Sequence, residues 1–126
     1  MPSSERSMLS LGSSHRYYLY RAATDMRKGF DGLSGLVVNE LGRDPLSGEV
    51  FVFVNRKGDR MKLLVWERGG FVLWYKRLES GTFELPGSDS KTYRLGYEEL
   101  VLLLEGIVLE SVRRRKRFHK KVGGKL

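Results

Sequence analysis

The residues best suited to chemistry in this chain are cations, and the chemistry they suit is contact with phosphate. Arg113, Arg114, Arg115, Lys116 and Arg117 are consecutive, and Lys120 and Lys121 follow closely. Such a run neutralises phosphates and releases counterions, giving affinity without base readout. Phe118 and His119 lie inside it, where they can stack on bases. The run has no zinc-finger, helix-turn-helix or basic-zipper frame. The bland alternative is a solvated tail. A second group, Arg56, Lys57, Arg60 and Lys62, surrounds an expected hairpin turn, with Lys76 and Arg77 on the strand that follows. If these share a sheet face they form a basic patch beside Trp66, Trp74 and Tyr75, a mixture that suits nucleic acid. Ordinary solvation of a hairpin over a tryptophan core is the alternative. Alternation does not decide, because Leu73, Trp74 and Tyr75 are consecutive.

A third candidate is Asp25-Met26-Arg27-Lys28. Two cations at a helix start would make a phosphate site, but Asp25 occupies the same place with the wrong charge. The favoured reading is structural: Thr24 as N-cap, and an ion pair of Asp25 with an arginine fixing the corner.

Catalytic constellations are not visible. Metal-dependent nucleases use acidic clusters on two metal ions. Here Asp25, Asp31, Asp44, Asp59, Glu67 and Glu79 fall at turns, caps or strand ends, where acids are common for structural reasons. His15 and His119 lie in segments expected to be mobile. Gly29-Phe30-Asp31-Gly32 lacks the Lys-Ser/Thr end of a phosphate loop. There is no cysteine, which removes disulfides, thiolate metal sites and cysteine nucleophiles. No catalytic, metal or cofactor-binding residue is assigned.

The charge is unevenly placed. The chain of 126 residues has 23 Lys plus Arg against 15 Asp plus Glu, a net charge of +8. Eight of the cations lie after Val112, and the last acid is Glu110, so the remainder is formally neutral. A neutral domain with a cationic tail is the expectation. No apolar stretch approaches the roughly 20 residues needed to span a membrane, and the N-terminus makes a poor signal peptide. A cytoplasmic location without membrane contact is expected.

These residues need elements to hold them. Residues 1–15 read as a disordered segment, 16–111 as one globular domain and 112–126 as the basic tail. Arg16 to Ala22 reads as a strand. Phe30, Leu33, Val37 and Leu41 give an apolar helical face from Thr24 to Gly42. Gly29, Gly32 and Gly35 weaken that helix by up to about 1 kcal/mol each, and their spacing suggests a close backbone neighbour. Glu49 to Asn55, Arg60 to Glu67 and Phe71 to Leu78 read as strands of an antiparallel meander, with a short further strand from Gly81 to Leu85. Tyr97 to Glu110 reads as a second helix. The expected class is α+β: about four antiparallel strands with two helices on one face.

Three blocks recur in order with unusual density: Thr24 to Leu33, Phe51 to Trp66 and Gly70 to Phe83. Through them the chain resembles the small accessory protein, the TnpB or second-open-reading-frame product, of insertion sequences of the sixty-six family. The likeness runs from about Tyr17 to about Val112 and includes Thr24, Asp25, Arg27, Lys28, Phe53, Arg56, Asp59, Lys62, Trp66, Gly70, Lys76, Arg77, Gly81, Phe83 and Pro86. Leu85, where many relatives have an aromatic, and Val108, where many have an acid, depart from the pattern. The resemblance implies a protein needed for transposition, in which a separate transposase carries out the strand chemistry. It brings no catalytic residue with it. The expected function is a non-enzymatic accessory factor that binds DNA through basic residues and assists the transposase. The alternative is an adaptor of the transposase with weak nonspecific DNA affinity, and a minor third reading is a metal-dependent nuclease.

Overall fold

The computed structural model describes residues 11–87 and 89–106. The elements run β1 (Tyr17–Tyr20), α1 (Phe30–Leu36), a π-helical turn (Val37–Leu41), β2 (Val50–Val54), β3 (Arg60–Glu67), β4 (Gly70–Arg77), β5 (Thr92–Leu95) and α2 (Tyr97–Leu104). All five strands form one sheet in the order β4-β3-β2-β1-β5.

The class is α+β, but the sheet is mixed rather than antiparallel. The β2-β3-β4 meander is as expected from its short turns. β1, however, runs parallel to β2, with Tyr17 opposite Val50 and Tyr20 opposite Phe53. The connection from Arg21 to Glu49 carries a helix, which gives it the length a parallel return requires. The fifth strand is not at Gly81–Leu85, which is irregular. It is Thr92–Leu95, antiparallel to β1 on its far side. Phe83 is nonetheless buried, and its amide donates to the Gly58 carbonyl at 2.7 Å.

Period-two alternation divides the sheet into two apolar faces. Tyr17, Leu19, Val50, Val52, Met61, Leu63, Val65 and Leu95 cluster with Leu100 and Leu103 of α2. Tyr18, Tyr20, Phe51, Phe53 and Leu64 cluster with Leu33 and Val37 of the first helical segment. The two helices therefore serve opposite faces, not the same one. β1 and β2 are buried at every position for this reason.

Two helix boundaries differ from expectation. The first helix starts at Phe30, with Gly29 as N-cap. Asp25 instead closes a tight local turn: its carboxylate accepts the Arg27 amide at 2.9 Å, and its carbonyl accepts the Lys28 amide at 3.1 Å. Aspartate competes with helix in this way because its short acceptor reaches nearby amides. The glycines do not mark a close backbone neighbour. A side chain at Gly29 or Gly35 would meet nothing within 4 Å, and one at Gly32 would meet only Lys28. The second helix stops at Leu104. Gly106 then takes φ +77°, ending the helical course. The remainder of the expected helix, 107–110, lies outside the described residues.

The long return to β2 is tied down by ion pairs, the best formed of them between Arg43 and Glu49. Arg43 Nε and Nη2 donate to the two carboxylate oxygens of Glu49, each at 2.9 Å, and the guanidinium lies 4.0 Å from the Tyr18 ring centre. The Arg43 hydrogen bonds lower the Glu49 pKa against the opposing effect of burial. Glu49→Gln should cost about 1.5–3 kcal/mol at neutral pH, since it keeps one acceptor but removes the charge and puts an amide NH2 where Arg43 had its second acceptor. Because the folded-state pKa is depressed, that contribution is complete above the ordinary glutamate value and is lost as pH falls through the lowered one. Urea unfolding of both proteins along an acid series should show the gap closing.

Candidate nucleic-acid interface

The hairpin between β2 and β3 is held rigidly. The Asn55 amide donates to the Arg60 carbonyl at 3.1 Å, and the Arg60 amide donates to Asn55 Oδ1 at 3.0 Å. Asn55 Nδ2 donates to Asp59 at 2.8 Å and lowers that carboxyl's pKa. Gly58 sits at φ +79° with Thr82 close against it, a conformation that favours glycine. Arg56 and Lys57 are exposed at the tip.

The Thr24–Lys28 block is fastened beside this hairpin. The Thr24 amide donates to the Val54 carbonyl at 2.9 Å. Lys62 makes the second attachment: its Nζ donates to the carbonyls of Met26 at 2.7 Å and Lys28 at 2.9 Å. Lys62 is only 7% exposed. It is thus a buried fastener, not a contact to an outside ligand, and this corrects its place in the expected patch.

Sheet register sorts the remaining cations. Arg60 lies opposite Arg77, and Lys62 opposite Tyr75, so these four share the face served by α1. Lys76 and Trp74 point to the other face. There Lys76 Nζ donates to the Leu104 carbonyl at 2.6 Å, placing its charge at the C-terminal end of α2. Lys76 is therefore also removed from the patch. The tail residues Arg113, Arg114, Arg115, Lys116, Arg117, Lys120 and Lys121 lie outside the described residues.

What the fold brings together is a rim of Arg56, Lys57 and Arg60, with Arg77 opposite Arg60 on β4. The Lys28 carbonyl is fastened to Lys62 nearby, while the Lys28 side chain lies against Gly32. A depression of about 400 Å³ lies between Thr24–Met26 and the hairpin. A second of about 400 Å³ is bordered by Arg60, Tyr75, Arg77 and Glu79. Acids temper the rim. Arg27, 90% exposed in its side chain, grips Asp25 with a closest approach of 2.8 Å. Hydrogen bonding from Arg27 holds the Asp25 carboxyl down at about 2. Arg77 donates twice to Glu79 Oε2, at 3.1 and 2.9 Å. The sequence places Arg27 and Lys28 at a helix start and not in the hairpin patch. The signal that would include them is their place in a block as dense as the one that holds the hairpin.

An Asp25–arginine pair is expected and the structure forms it with Arg27, which makes a prediction. Asp25→Asn keeps the acceptor for the Arg27 amide but frees the guanidinium. DNA affinity should rise at low salt, with a salt slope steeper by about one phosphate contact. A titration against duplex DNA at several salt concentrations checks this.

Among the described residues, no group of three His, Asp or Glu side chains is placed to hold a metal ion, and no helix is long and apolar enough to cross a membrane.

The family model described as IS66 Orf2 like protein matches residues 15–114, covering both the hairpin and the block fastened to it. The chain belongs to this family. Two relatives come from Sinorhizobium fredii (strain NBRC 101917 / NGR234). The uncharacterized protein y4jC is 36% identical over 91 residues, 72% of this chain and 78% of its own length. The uncharacterized protein y4hO is 37% identical over 101 residues, 79% of this chain and 87% of its own. No solved structure matches. Membership in the IS66 Orf2-like family supports an accessory role in the transposition of an insertion sequence.

Proposed function

We propose that this IS66 Orf2-like protein is a non-enzymatic DNA-binding factor that assists the transposase of its element. The observation that carries this reading is the placement of Arg56, Lys57 and Arg60 on a hydrogen-bonded hairpin, with Arg77 opposite Arg60 on the next strand and Arg27 and Lys28 in the block fastened beside it. Backbone phosphates are the ligand that such a rim suits, because exposed cations at fixed positions can release several counterions together. The basic run at 113–117, with Lys120 and Lys121, adds affinity from the same chain. Its contribution is sequence-independent, and the folded rim sets orientation on the duplex.

The test is binding of the full chain to the element's terminal-repeat duplex and to a scrambled duplex across a salt series. A second protein carries glutamine at residues 113–117, 120 and 121. Residual, salt-dependent binding by the neutralised tail variant supports the folded rim as a DNA site. Loss of all binding in that variant leaves the tail as the anchor and removes the rim from the proposal. If neither protein binds at physiological salt, the adaptor alternative takes its place, and capture of the purified transposase becomes the deciding assay.

A further inference from the structure

The rim holds one residue that phosphate binding does not explain. Tyr75 is 49% exposed on the sheet face, among cations rather than in the core. Its ring is held in position. Arg60 Nη1 donates to the phenolic oxygen at 3.3 Å, and Lys62 Nζ lies over the ring, 4.8 Å from its centre. Lys62 is itself fixed by the carbonyls of Met26 and Lys28. The ring thus has an ammonium over one surface, and about half of the residue is exposed. Arg60 and Arg77, opposite each other in register, stand beside it.

A half-exposed aromatic, held by Arg60 and Lys62 on the edge strand of the sheet, has the parts of a stacking platform for a nucleobase. The ring offers a π-surface and the arginines offer partners for the flanking phosphates. In a duplex the base faces are covered by their neighbours, so a stacking residue finds no partner there. Only an unpaired strand presents the face of a base. The aromatic surface also continues along β4. Phe71 lies on the same face, four residues away and so about 13 Å along the strand. It stacks with half-exposed Phe30 at a centroid distance of 6.3 Å and meets Trp66 edge-on at 5.0 Å.

We propose that the β3–β4 face binds an unpaired DNA strand, with a base stacked on Tyr75 and its flanking phosphates held by Arg60 and Arg77. This rests on the DNA-binding reading above and narrows it to a class of partner: the single-stranded DNA exposed where an element end is opened.

The experiment is fluorescence anisotropy of the full chain with a labelled thymidine oligonucleotide of about 20 nucleotides, longer than a typical single-strand site, and with a duplex of equal length. The native protein should bind the unpaired strand more tightly than the duplex. Tyr75→Ala should weaken unpaired binding by roughly 5- to 150-fold, the range expected when one base–aromatic stack is removed, and leave duplex binding within about twofold. Tyr75→Phe, which keeps the ring, should restore most of the unpaired affinity. Tyr75→Leu, which keeps apolar bulk without a ring, should not, and it guards against a fold defect in the alanine variant. Equal or tighter duplex binding by the native protein overturns the inference, as does a Tyr75→Leu variant that binds the unpaired strand normally. In either case persistent duplex binding leaves the DNA-binding reading standing. If neither nucleic acid binds, both fall.

Discussion

Lys62→Met should lower stability by about 2–3 kcal/mol, because it removes two hydrogen bonds from a charged donor and leaves two carbonyls without it. The ammonium donates to Met26 and Lys28, residues more than 30 positions earlier in the chain. Methionine preserves the length of the stem and adds no unpaired charge, so the measured change reports mainly on those bonds. For a domain of this size the melting temperature should fall by roughly 10–20 °C. The effect should reach beyond stability. Lys62 ties the Thr24–Lys28 block to the sheet and lies over the Tyr75 ring. DNA affinity should therefore drop by more than the removal of one exposed lysine would cause, even at a temperature where the variant is fully folded. Amide exchange across residues 24–29 should quicken selectively. A Lys62→Met protein that melts normally would show that the two carbonyls are satisfied in some other way.

The second large effect is on binding alone. Replacing Arg56 and Lys57 together by alanine removes two exposed charges from the hairpin tip and disturbs none of the hydrogen bonds that shape it. Those bonds come from the Asn55 and Asp59 side chains and from the backbone of Asn55, Gly58 and Arg60. Stability should stay within about 0.5 kcal/mol, as for surface substitutions generally. The slope of log affinity against log salt should become shallower by about 2, near 0.9 for each phosphate no longer neutralised. Affinity at low salt should fall by at least roughly tenfold, on the scale of two phosphates released from their cations. Weaker binding with an unchanged slope would point away from phosphate recognition at the tip. The same double substitution placed in the tail-neutralised background should remove most of the binding that remains there.

Much of this arrangement is legible in residue order, and the parts that are not share a cause. The β2–β4 meander is legible because Asn55 to Asp59 and Arg68-Gly69 are strong turn signals between β-prone runs. Leu33 and Val37 are legible from their four-residue step, whereas Phe30, expected on the same face, is half-exposed. The parallel pairing of β1 with β2 is not, since strands buried on both faces lack the alternation that reveals their surroundings. β5 is hidden because Thr92–Leu95 is short and lies beyond Pro86, Gly87 and the loop that follows. Within the patch, Arg56, Lys57, Arg60 and Arg77 do stand on one rim. Lys62 and Lys76 do not, and the reason is out of sight in the sequence. The groups that bind them are carbonyls far away in the chain, at Met26, Lys28 and Leu104. A lysine that serves backbone acceptors has the same letter as one that serves solvent.

The position of β1 also sets the order in which the molecule can be completed. It is the earliest of the five strands in the chain, yet its partners are β2 and, beyond all the others, β5. The β2-β3-β4 hairpins join near neighbours and can close early, whereas Tyr17–Tyr20 reaches β2 only across the long Arg21–Glu49 connection and keeps its other side unpaired until β5 has emerged. Non-local closure of this kind slows folding, because the entropy of a long loop is given up before its contacts form. During that interval an apolar tetrapeptide, Tyr-Tyr-Leu-Tyr, is available to other unfinished chains. Production at lower temperature and slower synthesis should therefore raise the soluble yield more than stabilising the hairpins would.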